Sequence, residues 1–331
     1  MKPEERSVII ERLMTESTRG RTKMLNELGI PRSTYYNWVK RYNVDGAAKL
    51  KLKHEIQYVW NRLSEPEELN IISIAKEHPE LSARLLSIKI TDEQQFYVSE
   101  ATVYRVLKKN GLMFPRLLNK IAASKTYKDK TTKPDEMWQC DAFHAFIVGW
   151  GYYKCIPVID DYSRKILSSE VFPDETSNSI ATAIELAQET ARSFGHILDT
   201  KPKLLSDNGS GFKGEVLHEY LSMHGIKHIF GKPYHPQTQG KVERVNRTLQ
   251  EKTTYLIVYC SPEEFRQAVR QTTEEYNDRP HKSLKNVSPN DVYEGRMETI
   301  LTRRLEIKKL TLERRKMYNK TQALLEHKNH A

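Results

Sequence analysis

Three carboxylates stand out among the 43 Asp and Glu residues of this 331-residue chain. Asp141 closes the short run Trp138-Gln139-Cys140-Asp141, just ahead of the apolar stretch Phe143-His144-Ala145-Phe146-Ile147-Val148. Asp207 closes Lys203-Leu204-Leu205-Ser206-Asp207 and is followed at once by the turn residues Asn208-Gly209. Glu243 lies in Gly240-Lys241-Val242-Glu243-Arg244-Val245-Asn246-Arg247-Thr248-Leu249, a stretch with helical character, and 35 residues separate it from Asp207. Two strand ends and a helix thus each offer one hard oxygen donor. Divalent cations take such ligands, and a pair of them clamps the attacking and leaving oxygens of an in-line displacement at phosphorus. No Ser/His/Asp or Cys/His nucleophile is evident, so a metal must activate the attacking oxygen. His144, His235 and His281 are read as DNA contacts or core hydrogen-bonders, not as metal ligands.

Those acids need a scaffold, and the chain supplies its pattern. Residues 136–143, 152–160 and 166–172 read as three consecutive strands joined by short turns, an antiparallel meander. Residues 177–194 form a helix with Ile180, Ala183, Ile184, Ala187 and Ala191 on one face. A fourth strand (203–206), a helix (215–223) and a fifth strand (227–230) follow, and two long helices (241–259 and 262–277) close the unit. The expected fold class is therefore α/β: a ribonuclease H-like mixed five-stranded sheet with flanking helices, preceded by all-α helix-turn-helix units. In the first closing helix, Val242, Val245, Leu249 and Leu256 form the buried stripe. Glu243 sits one residue off that stripe, and Arg247 lies one turn further on the same face. The segment Gly231–Gly240 is rich in turn residues and able to reorder around a substrate. Asp160, Asp161, Tyr162 and Arg164 are expected to shape the turn after the second strand.

Charge divides the chain. Net charge is +10, with residues 1–134 at +9, residues 135–300 at −5 and residues 301–331 at +6. Basic arms release counterions on binding a phosphate backbone, and the N-terminal arm carries two helix-turn-helix patterns. In the first, Lys23–Leu28 is a short helix, Gly29 the turn and Ile30 the buried residue behind it. The helix after Pro31 points Tyr36 and Val39 inward and Arg32, Ser33, Tyr35 and Asn37 outward, where small polar and basic groups reach base edges. In the second, residues 81–90 and 98–110 are helices, the latter capped by Ser99, stopped by Gly111 and presenting Thr102 and Arg105; Leu112–Pro115 begins a short strand. Apolar runs fall well short of a membrane span. Cys140, Cys155 and Cys260 have no metal or disulfide spacing, which fits a reducing cytosol.

The WQCD, LLSDNGSGF and PYHPQTQGKVERVNRTL segments resemble the DDE catalytic core of bacterial insertion-sequence transposases and retroviral integrases. Tyr276-Asn277-Asp278-Arg279-Pro280-His281-Lys282-Ser283-Leu284, with Ser288-Pro289 and Tyr293 beyond, resembles the segment that closes that core in bacterial transposases. The likeness covers about residues 135–296. It implies two Mg²⁺ or Mn²⁺ ions held by the catalytic Asp141, Asp207 and Glu243, cleavage at element ends by water, and joining of the freed 3′-hydroxyls to target DNA. It also implies a homo-oligomer acting on terminal inverted repeats and target duplex, in the bacterial cytoplasm with the nucleoid and without a membrane.

The expected division is 1–50 and 51–116 for the helix-turn-helix units, 117–134 for a basic linker, 135–296 for the catalytic core and 297–331 for a basic helical arm. Leu301, Leu305, Ile307, Leu310 and Leu312 of the arm are suited to packing on another subunit. Expected DNA contacts are Arg32, Ser33, Tyr35, Asn37, Lys40, Ser99, Thr102, Arg105, His235, Gln239, Lys241, Arg244 and Arg247. One departure from the resemblance is Gln250, seven residues beyond Glu243, where related enzymes often carry Lys or Arg; Arg247 keeps a positive charge nearby. Another is the lack of a hydroxyl directly after Asp141. The alternative readings are a sequence-specific DNA-binding regulator with an inactive core and a structure-selective nuclease of the same fold.

Overall fold

The structure, a computed structural model, describes residues 3–45, 59–113, 131–196, 201–231, 240–255 and 257–329. Its sheet comprises β1 (Met137–Cys140), β2 (Phe143–Ile147), β3 (Gly151–Asp160), β4 (Ile166–Phe172), β5 (Lys203–Ser206) and β6 (Lys227–Phe230). β3 pairs antiparallel with β4, β2 and β1; β1 then pairs parallel with β5, and β5 parallel with β6. This mixed sheet with flanking helices is the expected ribonuclease H-like architecture. Six strand segments are present among the described residues, one more than expected, because one strand is split in two. Cys140 pairs with Val158 and Phe143 with Cys155 in one unbroken register, so β1 and β2 are a single strand interrupted at Asp141 and Ala142. The gap lies opposite Pro157, which has no N–H to offer a neighbouring strand. The alternation of buried Phe143, Ala145 and Ile147 with exposed His144 and Phe146 is the signal that the strand runs on past Phe143.

Helices cover both faces of the sheet. α7 (Ser177–Ser193) is capped by the Thr176 side chain and buries Ile180, Ala183, Ile184, Ala187 and Ala191 against Trp138, Ile156, Val158 and Leu204. On the other face, Val242, Val245 and Leu249 of α9 (Gly240–Thr253) and Phe265 and Val269 of α10 (Pro262–Asp278) pack on Phe143, Ala145, Ile147 and Val171. α9 ends at Thr253, short of the expected Tyr259; Leu256 lies outside the described residues. Tyr259 instead forms a parallel bridge with Ile147, and its hydroxyl donates to the Thr253 carbonyl. α10 matches its expected span and starts at a Ser261 cap followed by Pro262.

α8 (Glu215–Met223) follows the glycine-rich turn after β5. A Cβ at Gly211 would lie 2.3 Å from the Glu175 carbonyl oxygen, and Ser177 Oγ donates to the Gly211 carbonyl. The glycines of LLSDNGSGF therefore let this turn lie flat on the start of α7. Gly211→Ala is expected to cost about 2–3 kcal/mol through overpacking against backbone, read as a lowered urea midpoint at unchanged m-value.

The chain divides into two units, residues 1–69 with 311–331, and residues 70–310. In the first, α1 (Pro3–Met14), α2 (Thr18–Glu27) and α3 (Arg32–Asp45) gather Ile10, Leu13, Leu25, Ile30 and Tyr35 into a core. Gly29 turns with φ +63° between α2 and α3, as expected. The facing of α3 is corrected: Tyr35 is 1% exposed and Tyr36 is 49% exposed. The stripe that meets the other helices is Tyr35, Trp38, Val39 and Tyr42, at i, i+3, i+4 and i+7, and Tyr36 falls outside it. α4 (Glu65–Glu77) carries Glu67, which pairs with Arg315 of the last helix, α11 (Met297–Asn329).

In the second unit, α5 (Ala83–Glu93) and α6 (Glu100–Lys109) form the other helix-turn-helix. Ser99 caps α6 by accepting from Thr102 N, and Gly111 stops it at φ +67°. Leu112 and Met113 are not in a strand; Phe114 and Pro115 lie outside the described residues, as does the linker up to residue 130. α5 is tied to the segment that follows α10 by Arg84, which donates to the Pro280 carbonyl and Asn286 Oδ1. Leu301 packs with Leu284, Val287 and Val292 of the same chain, whereas Leu305 and Leu310 are exposed. No helix among the described residues is long and apolar enough to cross a membrane.

Candidate active site

Pairing in the sheet brings two of the three acids together. β1 and β5 run parallel with Met137 opposite Lys203 and Gln139 opposite Leu205. Continued two residues, that register sets Asp141 beside Asp207, on strands about 4.8 Å apart. Asp207 Oδ1 accepts Gly209 N at 2.9 Å, an Asx turn that directs the strand away behind the carboxylate. Asp141 Oδ1 accepts Ala142 N, and Asp141 Oδ2 accepts Asn246 Nδ2, both at 2.9 Å. Its carboxyl is pushed up to about 6, first by burial and then by the negative charge of Asp207, with a smaller push from Glu243.

The helix that carries the third acid is anchored to β1. Gln139 Oε1 accepts Val242 N at 3.2 Å, which seats the first turn of α9 over the strand. Asn246, three residues after Glu243 and on the same face of α9, holds Asp141. Glu243 itself is exposed. Among the described residues, no three His, Cys, Asp or Glu side chains already stand in a metal-coordinating arrangement. The structure thus joins Asp141 to Asp207 and leaves Glu243 at the rim. As donors the three carboxylates suit a hard divalent cation. The raised proton affinity of Asp141 marks a concentration of negative charge that such a cation relieves.

Asp160 and Asp161 do more than shape a turn. Asp160 accepts from Ser163 N, Ser163 Oγ and Asp135 N, and burial pushes its carboxyl up to about 6. Asp161, 2% exposed, accepts from Gln139 Nε2, Thr131 Oγ1 and Lys241 Nζ. One buried carboxylate therefore orients the glutamine that seats α9 and the first lysine of α9. Lys241, expected as a DNA contact, is held in this ion pair. Asp135 is the other residue whose part was not foreseen. It accepts from Trp138 Nε1, His196 Nδ1 and Tyr293 OH, so Trp138 of WQCD and the distant Tyr293 meet at one side chain. Asn277 of the closing segment bonds both the N–H and the carbonyl of Ile166, sewing α10 to β4. Trp138, Gln139, Asn246, Asn277 and Tyr293 carried a sequence signal as parts of the resembling segments, whereas Asp135 and His196 carried none.

The remaining expected contacts are dispersed. Arg32, Ser33, Asn37 and Lys40 are exposed on α3, whereas Tyr35 is removed from that surface by burial. Arg105 is exposed on α6 and folds back on Thr102 Oγ1 at 3.2 Å; Ser99 is occupied as the cap. Arg244 is exposed on α9. Arg247 pairs with Glu251, both about half exposed, a contact of small energy that leaves the guanidinium available. His235 and Gln239 lie outside the described residues. His144 stacks edge-on with Tyr152, and His281 faces the Tyr276 carbonyl.

Residues 131–236 match the integrase core domain family, and residues 224–289 match a second integrase core domain family. Both matches are to integrase core domains, and together they run from residue 131 to residue 289. Asp141 and Asp207 fall in the first match, and Glu243 and the closing segment in the second. A homeodomain-like domain matches residues 34–107, from within α3 to within α6. Among known proteins, the chain is similar to the Gag-Pro-Pol polyprotein of squirrel monkey retrovirus, 32% identical over 120 residues, which is 35% of this chain and 6% of the polyprotein. It also resembles the Pol-related polyprotein of the mouse intracisternal A-particle, 32% identical over 126 residues, 38% of this chain and 13% of that protein. The chain therefore spans a small fraction of the relatives it matches. Among solved structures are the HTLV-2 integrase catalytic core in complex with magnesium, with 20% identity, TM-score 0.38 and coverage of 49% of this chain and 97% of that one. The simian T-cell lymphotropic virus intasome with a PP2A regulatory subunit shows 15% identity, TM-score 0.42 and coverage of 66% and 73%.

Proposed function

We propose that the chain is a DNA transposase of the bacterial insertion-sequence type, a homo-oligomer that pairs the inverted terminal repeats of its element. The observation that carries this reading is the seating of Asp141 and Asp207 at adjacent strand ends under a helix that grips one of them through Asn246 and carries Glu243 one turn earlier. Asp141, Asp207 and Glu243 would hold Mg²⁺ or Mn²⁺, and the bound ions supply an activated oxygen nucleophile and stabilise charge on the scissile phosphate. The protein's own part is positional. Gln139 and Asp161 fix the start of α9, Asn246 fixes Asp141, and the flat glycine turn fixes Asp207. Glu243, left at the rim, completes the site when DNA and cations arrive.

The test is strand transfer of a labelled duplex carrying the element's terminal repeat, with Mg²⁺ and target plasmid. Joined product that disappears in EDTA is expected. Specific binding of the repeat without any cleavage or joining would favour the DNA-binding regulator, and cleavage without sequence preference would favour the structure-selective nuclease. Two further variants separate recognition from chemistry. Lys40→Ala and Arg105→Ala are each expected to lower DNA affinity and to reduce the salt slope of binding by about one while Mg²⁺ binding is unchanged. An unaltered slope would remove the corresponding helix from the DNA.

A further inference from the structure

α9 has a second functional flank. Its buried stripe is Val242, Val245, Asn246, Leu249 and Thr253, with Glu243 to one side. Lys241, Arg244, Thr248 and Lys252 lie to the other, centred about 140° round the helix from Glu243 at 100° per residue. This second flank, the end of α10 and the Arg279–Ser283 segment enclose a cavity of about 590 Å³, within the range of small-ligand sites. Seven of its thirteen lining residues are Arg or Lys, and none is acidic.

Few of these cations are neutralised. Lys241 is paired with Asp161 and Lys252 with Glu275. Arg84 meets only neutral acceptors, the Pro280 carbonyl and Asn286 Oδ1. Arg244, Arg279 and Lys282 make no ion pair among the described residues, and Arg164 Nε is buried without a hydrogen-bond partner. Arg164 also holds φ +65°, a costly backbone state for a non-glycine residue. Asp160 and Asp161 offset part of the charge of Arg164 and Lys241, and an anion in the cavity would offset more of what these gathered like charges cost. The neighbouring groups register that repulsion. Burial and Arg279 lower the proton affinity of Arg84. His281 is held below its usual range by burial, with further lowering from Arg279, Arg84 and Arg164.

We infer that this cavity seats a backbone phosphodiester of the DNA strand being processed, a positioning site on the opposite flank of α9 from the acids. The inference rests on the DNA-processing reading above. A DNA strand is favoured over a free anion because one helix, about 10–12 Å across with its side chains, separates the cavity from the carboxylates. That distance is about three steps along a strand at 3.4 Å each. Phosphate held here fixes which bond lies over Asp141 and Asp207. Arg guanidinium groups suit that task through their planar forks of donors. The closing segment thereby acquires a role: Asn277 anchors it to β4, and Arg279 and Lys282 face the backbone.

The experiment uses the full chain in EDTA, so that binding is read without catalysis. Duplex affinity is measured by fluorescence anisotropy from 50 to 300 mM salt for the native protein, Arg279→Gln/Lys282→Gln and the charge-keeping Arg279→Lys/Lys282→Arg. Loss of this one phosphate contact is expected to lower the salt slope by about 0.9 and affinity roughly tenfold, with the charge-keeping variant close to native. Lys282→Gln alone, at an exposed side chain, is expected to lower the slope by about half as much and covers failure of the double variant to fold. A native slope in the glutamine variants overturns the inference. So does thermal stabilisation of the native protein by inorganic phosphate, lost in the double variant, alongside an unchanged DNA slope, because the cavity then takes free anions. Strand transfer that persists with an unchanged slope leaves the transposase reading standing, whereas no binding of duplex by the native protein removes both.

Discussion

Asp141→Asn is expected to make the metal-free protein more stable at pH 8 while reducing strand transfer by about 10³-fold or more. The Asp141 carboxyl is pushed from 3.8 up to about 6 by burial and by Asp207. A raised carboxyl binds its proton more tightly in the folded state, so its contribution to stability is fully present below pH 3.8 and lost as pH rises through 6. At pH 8 the ionised group opposes folding by at most about 3 kcal/mol at 1.36 kcal/mol per unit. Asparagine removes the charge but weakens the hydrogen bonds with Ala142 N and Asn246 Nδ2, leaving a net gain of about 1–2 kcal/mol. Thermal melts in EDTA at pH 8 and pH 5 check the sign, with the gap between variant and native protein shrinking at pH 5. Mg²⁺ is expected to raise the melting temperature of the native protein and not of the variant. A variant less stable than the native protein in EDTA at pH 8 would show that no strained carboxylate exists there.

Asp161→Ala is expected to produce the largest loss of stability, about 3–5 kcal/mol, although Asp161 makes no contact with the reacting groups. Its carboxylate is 2% exposed and accepts from Gln139, Thr131 and Lys241. Truncation removes a buried acceptor shared by three donors and leaves the partly buried Lys241 ammonium with the Asp161 carbonyl but without its counter-charge. Gln139 then loses the bond that orients its side chain, and with it the acceptor for Val242 N that starts α9. Strand-transfer rate should therefore fall along with stability. Lys241→Met is the complementary change, since it strands the Asp161 charge and should cost about as much. Urea unfolding followed by tryptophan fluorescence reads both. A loss below about 1 kcal/mol for Asp161→Ala would mean that α9 is held by its apolar stripe alone.

Several of these relations were legible before any coordinates. The strand ends before Asp141 and Asp207, the cap Ser99, the turn glycines Gly29 and Gly111, and the apolar stripe Val242, Val245, Leu249 all arise from local chemistry. Period, capping and left-handed turns are written in neighbouring residues. Tyr35 shows the limit of that method. The choice between Tyr35 and Tyr36 as the inward residue is a rotation of 100° on one helix, and the decision comes from Ile10, Leu13 and Leu25 on other helices. Lys241 shows it again, because its partner Asp161 lies 80 residues earlier.

The kinds of element, the order of the acids and the basic character of the two ends follow from residues within a few positions of one another. Contacts between distant segments supplied the remainder. The parallel register of β1 and β5 set Asp141 against Asp207, Asn246 and Gln139 chose the face α9 presents to them, and seven cations from four separate stretches closed on one cavity. These are matters of long-range packing, in which burial and charge act through space and chain separation carries no information.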